Sequence, residues 1–176
     1  MILGRFPPGA ATALFGKDAH RQAALEGLTR KPTFVHIATH ATSSGDDAEI
    51  ILWGRGEEAR LNAADIEALD CPARLVVLSA CDTATGELDL AEGLMSLARA
   101  FLCAGAESVC GSYWPVDDDA TAFLMSSLYT AILGGVSRSE SLWRAQKATR
   151  EQWPHPKNWG GFGLYGAAMM TERYPA

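Results

Sequence analysis

Four large apolar residues in a row, Leu75 to Leu78 in the stretch "RLVVLSACDTATGE", constrain this chain more than any other feature. An unbroken run of this kind marks a strand destined for the core. The chain then meets Ser79, Ala80 and Cys81 and turns polar, so the strand delivers a thiol to the place where the backbone leaves the sheet. A second segment, "TFVHIATH" (33–40), is dense in β-branched and aromatic residues and also ends on a reactive side chain, His40. "SVCGSYW" (108–114) reads as a further strand, and "FGLYG" near the C-terminus as the last.

Helical signals lie between these strands. "HRQAALEGL" (20–28) fits a short amphipathic helix ended by "KP". In "LNAADIEALD" Asn62 is the expected N-cap, and Leu61 with Ile66 fits a hydrophobic staple. From Asp89 to Ala104 the apolar residues Leu90, Leu94, Leu97 and Phe101 recur every three or four positions, and Gly105 supplies a stop. Residues 117–133 read as a helix closed by Gly134-Gly135, and Ser137 with Glu140 predicts a capping box for the next one. Residues 1–12 look irregular, "ATSSGDDA" reads as a loop, and "EIILW" with "EARL" as a small hairpin around "GRGE". Strands alternating with helices call for an α/β fold: a mostly parallel sheet with helices on both faces. Ligands in such folds bind beyond the carboxyl ends of the strands, where His40 and Cys81 both fall.

The length of 176 residues suits one domain, 1–176, of which 1–19 is the least defined part. A net charge of −6 without a basic cluster argues against nucleic acid or a membrane surface as partner. No apolar run approaches the ~20 residues that span a bilayer, and "MILGRFPPGA" lacks the form of a signal peptide. Cys71, Cys81, Cys103 and Cys110 lack the CxxC spacing of a zinc site, so no metal or cofactor is implied; they read as reduced thiols of a cytoplasmic protein. Cys71, Cys103 and Cys110 are expected to be packing residues.

Neighbouring strands lie about 4.8 Å apart, so side chains from two adjacent strand ends can meet. A thiol of ordinary pKa is only a few per cent thiolate at neutral pH; an imidazole beside it can take the proton or stabilise the thiolate. The competing reading is equally physical: a cysteine near a strand end is commonly a small buried hydrophobe. An Arg six residues beyond the cysteine, as a phosphate-binding loop needs, is absent, because position 87 is Glu. There is no GxSxG elbow or Walker motif either.

The segments "VHIATHA", "LVVLSACDTATGE", "AEGLMSLARAFLCAGAESVCGSYWPVDDDAT" and "HPKNWGGFGLYG" resemble, in order, the CHAT domain. This is a caspase-like module, often found with tetratricopeptide repeats in bacteria and related to separases and caspases among the clan CD cysteine peptidases. The resemblance covers about 20–166. It implies a three-layer α/β/α sandwich and a His-Cys dyad, in which the histidine of "ATH" is His40 and the cysteine of "SAC" is Cys81. It also implies an oxyanion hole from the backbone N–H groups of Cys81 and the residue after the histidine. That residue is usually Gly and here is Ala41, which keeps the donor unless the backbone needs a positive φ. Full modules carry further strand–helix units before the point where this chain begins, so their N-terminal part is expected to be missing.

Around the dyad, His36 reads as a buried, hydrogen-bonded support. Its even spacing from His40 points both to one face until the strand bends away. His20 and His155 read as surface or turn residues. Ser79 shares the face of Cys81 and either lines the pocket or packs; Thr83 is expected to bond loop backbone, and Asp82 either orients His40 or is solvated. The three acids of "WPVDDDA" fit a helix start, with Asp117 as N-cap. By resemblance to a separase segment, Asp118 or Asp117 would instead line a pocket for a basic substrate residue, arginine for preference. Trp114 precedes that turn and would wall the pocket; Trp143, Trp153, Trp159, Phe162 and Tyr165 read as core and rim packing.

The expected function is a cysteine endopeptidase acting on a protein or peptide, with a tetratricopeptide-repeat region or protein as regulator and the polar loops 42–49 and 82–88 as ordering elements. The rival is a non-catalytic scaffold or signalling module of the same fold. A flavodoxin-like small-molecule binder rests on the α/β pattern alone.

Overall fold

The computed structural model describes residues 2–44, 47–79 and 87–167. A 3-10 turn at Ile2–Arg5 precedes helix α1 (Arg21–Thr29), which His20 caps by accepting the Ala23 N–H. Strand β1 (Phe34–Ile37) follows, then β2 (Ala41–Ser44), β3 (Asp47–Ile51) and β4 (Arg60–Asn62). Next come α2 (Ala63–Glu67), β5 (Leu75–Leu78) and α3 (Glu87–Cys103). Strand β6 (Ser108–Ser112), α4 (Asp118–Leu133), α5 (Arg138–Gln152) and β7 (Phe162–Gly166) complete the order.

The main sheet has the order β1-β5-β6-β7. Strands β1, β5 and β6 run parallel and β7 pairs antiparallel with β6. All four residues of β5 are buried, and they divide by alternation. Val76 and Leu78 join the core formed with α1, α2 and α3; Leu75 and Val77 join the one formed with α4 and α5. The two-sided core explains why this strand is apolar at every position. The result is an α/β sandwich with one helical layer on each face of the sheet.

Each helix forms for a legible reason. Asn62 accepts the Asp65 N–H and Asp65 returns a bond to the Asn62 N–H, a complete capping box, while Leu61 and Ile66 are buried together. Leu124, Leu128 and Ile132 place one apolar stripe of α4 on the sheet. Ser137 caps α5 through the Glu140 N–H, but the Glu140 carboxylate turns to Arg144 one helical turn on, so the capping box is only half formed.

Three sequence readings need correction. Residues 1–12 are not wholly irregular: Arg5 bonds the hydroxyls of Ser126 and Thr130 on α4, and Phe6 packs against Phe34 and Tyr129. The first strand ends at Ile37, so His40 lies beyond it. The "ATSSGDDA" stretch is not a loop throughout. Its ends form β2 and β3, which with β4 make a separate antiparallel sheet packed under α3. The expected hairpin survives as the β3–β4 pair.

Arg138 is fully buried at the start of α5. Its guanidinium bonds the Arg74 carbonyl and Ser108 Oγ, both at 2.6 Å, and forms an ion pair with Glu107. It thereby ties the beginnings of β5 and β6 to α5. Removing one partner of a buried charged network leaves the others unsatisfied, at a cost of about 3 kcal/mol. Arg138→Ala should therefore lower the urea midpoint by that equivalent with an unchanged m-value; a shift below a third of it would contradict this role.

Candidate functional site

The site grows out of the β1–β5 register. Ile37 pairs with Leu78, and the Ser79 N–H donates to the Ile37 carbonyl at 2.9 Å, carrying the ladder one step past both strands. His40 stands three residues after Ile37, and Cys81 stands three residues after Leu78 in sequence. Cys81, Asp82 and Thr83 lie outside the described residues, as does most of the 82–88 loop. Ser79 is half-buried at the last described position of this edge.

Two bonds hold the "ATH" segment against β3. Thr39 Oγ1 donates to the Ile51 carbonyl at 2.7 Å, and the Ile51 N–H donates to the His40 carbonyl at 2.8 Å. The backbone at His40 is fixed while its residue surface is exposed. Ala41 pairs with Ile50 as the first position of β2. Since Ile51 bonds towards β2, the antiparallel alternation turns Ile50 towards β4, and the Ala41 N–H faces away from β3. Lys31 is the only non-glycine residue of positive φ among the described residues, so Ala41 replaces glycine without backbone strain.

A wall rises beside this edge at the end of β6. The Ser112 hydroxyl donates to the Trp114 carbonyl at 2.6 Å, and Trp114 Nε1 donates to the Lys157 carbonyl at 2.9 Å. The neighbouring Tyr113 ring lies over Gly163 of β7, where an added methyl group would come within 2.6 Å of the phenol oxygen. Gly161 is less tight, 3.0 Å from Val116 Cγ2 and 3.1 Å from both Ser112 Oγ and Trp114 Nε1 by the same measure. Two glycines of "WGGFG" are thus there for close approach. Between α3 and this wall opens a cleft of about 380 Å³ lined by Ala91, Tyr113, Trp114, Pro156 and Lys157. Trp114 is the one residue of this lining named from sequence. Ala91, Tyr113, Pro156 and Lys157 were missed; the glycine cluster after "HPKN" signals a close approach but not which residues make it.

Neither Asp117 nor Asp118 lines that cleft among the described residues. Asp117 caps α4 through the N–H groups of Asp119 and Ala120, at 3.1 and 3.0 Å. Asp118 is exposed in the first turn. Of the expected packing residues, Trp153 packs at a tilt against Phe123 and Phe162 is buried, whereas Trp143 is exposed, with the Lys147 ammonium 5.5 Å from its ring centre. Cys71 and Cys110 are buried, but Cys103 is exposed, so its reading as a packing residue is corrected. Burial raises the Cys71 thiol and pushes that of Cys110 up to about 12, which makes both poor nucleophiles. No cluster of metal-ligating side chains exists among the described residues.

A CHAT-domain family model matches residues 1–167, nearly the whole chain. The chain belongs to the CHAT-domain family. That family is related to caspase-like peptidases. Among curated proteins this CHAT domain resembles tetratricopeptide repeat protein 28 of Mus musculus, 40% identical over 112 residues, and its Homo sapiens counterpart, 37% over 113. The matches cover 62% and 63% of this chain but only 4% of either relative. No helix among the described residues is long and apolar enough to cross a membrane.

His36 supports the rim from the opposite face to α3. Its Nδ1 lies 3.2 Å from the Tyr129 hydroxyl, and burial lowers its pKa from 6.5 to about 4. Below pH 6.5 the unfolded chain takes up a proton that the folded one refuses until about pH 4. Stability is therefore full above 6.5 and falls with acidification, by up to about 3 kcal/mol across that window. His36→Gln, which keeps a polar partner for Tyr129 but does not titrate, should flatten the fall in thermal midpoint between pH 6.5 and 4. Parallel curves for the two proteins would contradict the assignment.

Proposed function

We propose that this CHAT domain is a cysteine endopeptidase in which His40 and Cys81 act as a dyad on a protein substrate. The observation that supports it is the register: two strands paired at Ile37 and Leu78, each followed three residues later by one of the two groups. In this reading the Cys81 sulfur attacks the scissile carbonyl as its proton passes to His40. The N–H groups of Cys81 and Ala41 receive the oxyanion, and the outward direction of the Ala41 N–H from β3 suits that task. His40 then protonates the departing amine, and water hydrolyses the thioester.

Ser79 and Trp114 flank the substrate on either side of the edge. Because the Asp117 carboxylate is engaged in capping α4, Asp118 is the acid left to receive a basic substrate residue. The names of the two relatives support a tetratricopeptide-repeat region or protein as regulatory partner, acting through segment 42–49, which carries most of β2 and the start of β3, and segment 82–88.

A peptide-library digest with the purified chain, alone and with repeat-containing partners, tests the reading. Products should disappear by at least about a thousand-fold in Cys81→Ala and His40→Ala. Undiminished cleavage by Cys81→Ala would refute it. The second reading, a non-catalytic scaffold, draws on the exposed apolar rings of Phe15 and Trp53, 67% and 61% accessible, which suit a binding surface. Alkylation with iodoacetamide at pH 7 separates the two. The endopeptidase requires Cys81 to label ahead of the exposed Cys103 and to lose that lead in His40→Ala. Equal rates at both thiols, with the regulatory partner present, favour the scaffold.

A further inference from the structure

The cleft between α3 and the 155–159 turn has a chemistry unlike that of the acidic turn beside it. Its walls are two aromatic rings, Tyr113 and Trp114, with Pro156 and the small Ala91 leaving the opening between them. The Trp114 indole N–H is already bonded to the Lys157 carbonyl, so the ring offers apolar surface and no spare donor. Tyr113 is seated on Gly163 and packs 6.1 Å from the Tyr165 ring. Both walls are held before any ligand arrives, which reduces the ordering cost of binding. One helical turn beyond Ala91, Met95 keeps 50% of its surface in solvent, extending the apolar strip along α3.

Among the described residues the one charged side chain of this lining is that of a lysine. Lys157 is exposed and forms no ion pair with a carboxylate among the described residues. In a chain of net charge −6, an exposed lysine in the lining of an apolar cleft, unpaired among the described residues, favours a ligand that carries its own carboxylate. A volume of about 380 Å³ is near the lower end of ligand sites, which run from roughly 300 to 1,000 Å³. It suits one or two side chains and is open to solvent rather than enclosed.

We infer that this cleft is a recognition subsite for a protein segment in which a large apolar residue, aromatic for preference, sits next to Asp or Glu. The apolar side chain enters between Ala91 and the Tyr113–Trp114 wall, and the carboxylate pairs with Lys157. The use of the subsite in substrate selection rests on the endopeptidase reading; the binding does not. The acid at Asp118 and the cation at Lys157 then read different positions of one substrate, which fixes its direction across the edge.

The test reads binding without cleavage. Fluorescein-labelled peptides identical except for a central Phe-Glu, Phe-Lys or Ala-Glu pair are titrated by fluorescence polarisation into the full chain carrying Cys81→Ala. The Phe-Glu peptide should bind about tenfold more tightly than either of the others, an effect typical of one well-placed contact. Lys157→Glu should reverse the order of Phe-Glu and Phe-Lys, since only its side chain changes and the carbonyl that holds Trp114 remains. Ala91→Phe, which fills the opening, should weaken Phe-Glu binding about tenfold at an unchanged thermal midpoint. An unaltered preference in Lys157→Glu, or no binding of any of the three by the folded chain, overturns the inference. If the subsite alone is wrong, Cys81-dependent cleavage continues and ignores Lys157→Glu; if only the endopeptidase reading is wrong, the binding pattern persists without cleavage.

Discussion

The parallel pairing of β1 with β5 is the constraint on which the rest depends. Parallel strands start and end on the same side of a sheet, so two segments far apart in sequence are brought to one edge at one height. Here the ladder runs through Ile37 and Leu78 and is extended by the bond from the Ser79 N–H to the Ile37 carbonyl. A slip of one residue would turn Val76 and Leu78 from the α3 side to the α4 side and move the whole edge with them. The buried side chains of both cores oppose that slip, so packing energy is what sets the geometry of the rim.

The other side of the edge is built by the C-terminal segment. Strand β7 reverses direction against β6, and its glycines allow Tyr113 and Trp114 to settle onto it. The Trp114–Lys157 bond then ties the end of β6 to the turn before β7. The same few residues therefore close the sheet, fix two rings and form the cleft. Beneath, His36 with Tyr129 and Arg138 with Glu107 satisfy polar groups in the layer of α4 and α5. They leave the rim to the residues facing outward.

The fold was legible where local and tertiary signals agree. Leu75 to Leu78, the Asn62 and Asp117 caps, the apolar spacing of α3 and the Gly134-Gly135 stop after α4 each announce an element that the core also requires. Reading failed where tertiary contact overrides composition. The Ser, Gly and Asp residues of "ATSSGDDA" speak for a loop, yet α3 supplies a surface on which short β2 and β3 can pair. Glu140 had two partners within reach, and Arg144 won over the backbone N–H. Cys103 sits in an apolar stretch but on the outer face of the last turn of α3. Of the proposed site, His40, Ser79 and Trp114 could be named from strand ends and their neighbouring motifs, and Ala41 from the family resemblance alone. Lys157 and Tyr113 could not, because a turn after α5 and a residue after β6 meet only through the antiparallel return of β7.

The central claim is that positions 40 and 81 share one rim within side-chain reach. Dibromobimane, which becomes strongly fluorescent only when it bridges two thiols a few ångströms apart, measures this directly in a His40→Cys variant. The introduced thiol should cross-link to Cys81 rapidly and in preference to the exposed Cys103, with the bridged peptide identified by mass spectrometry. Single labelling of the two thiols without a bridge, in a chain that retains its thermal midpoint, would contradict the account.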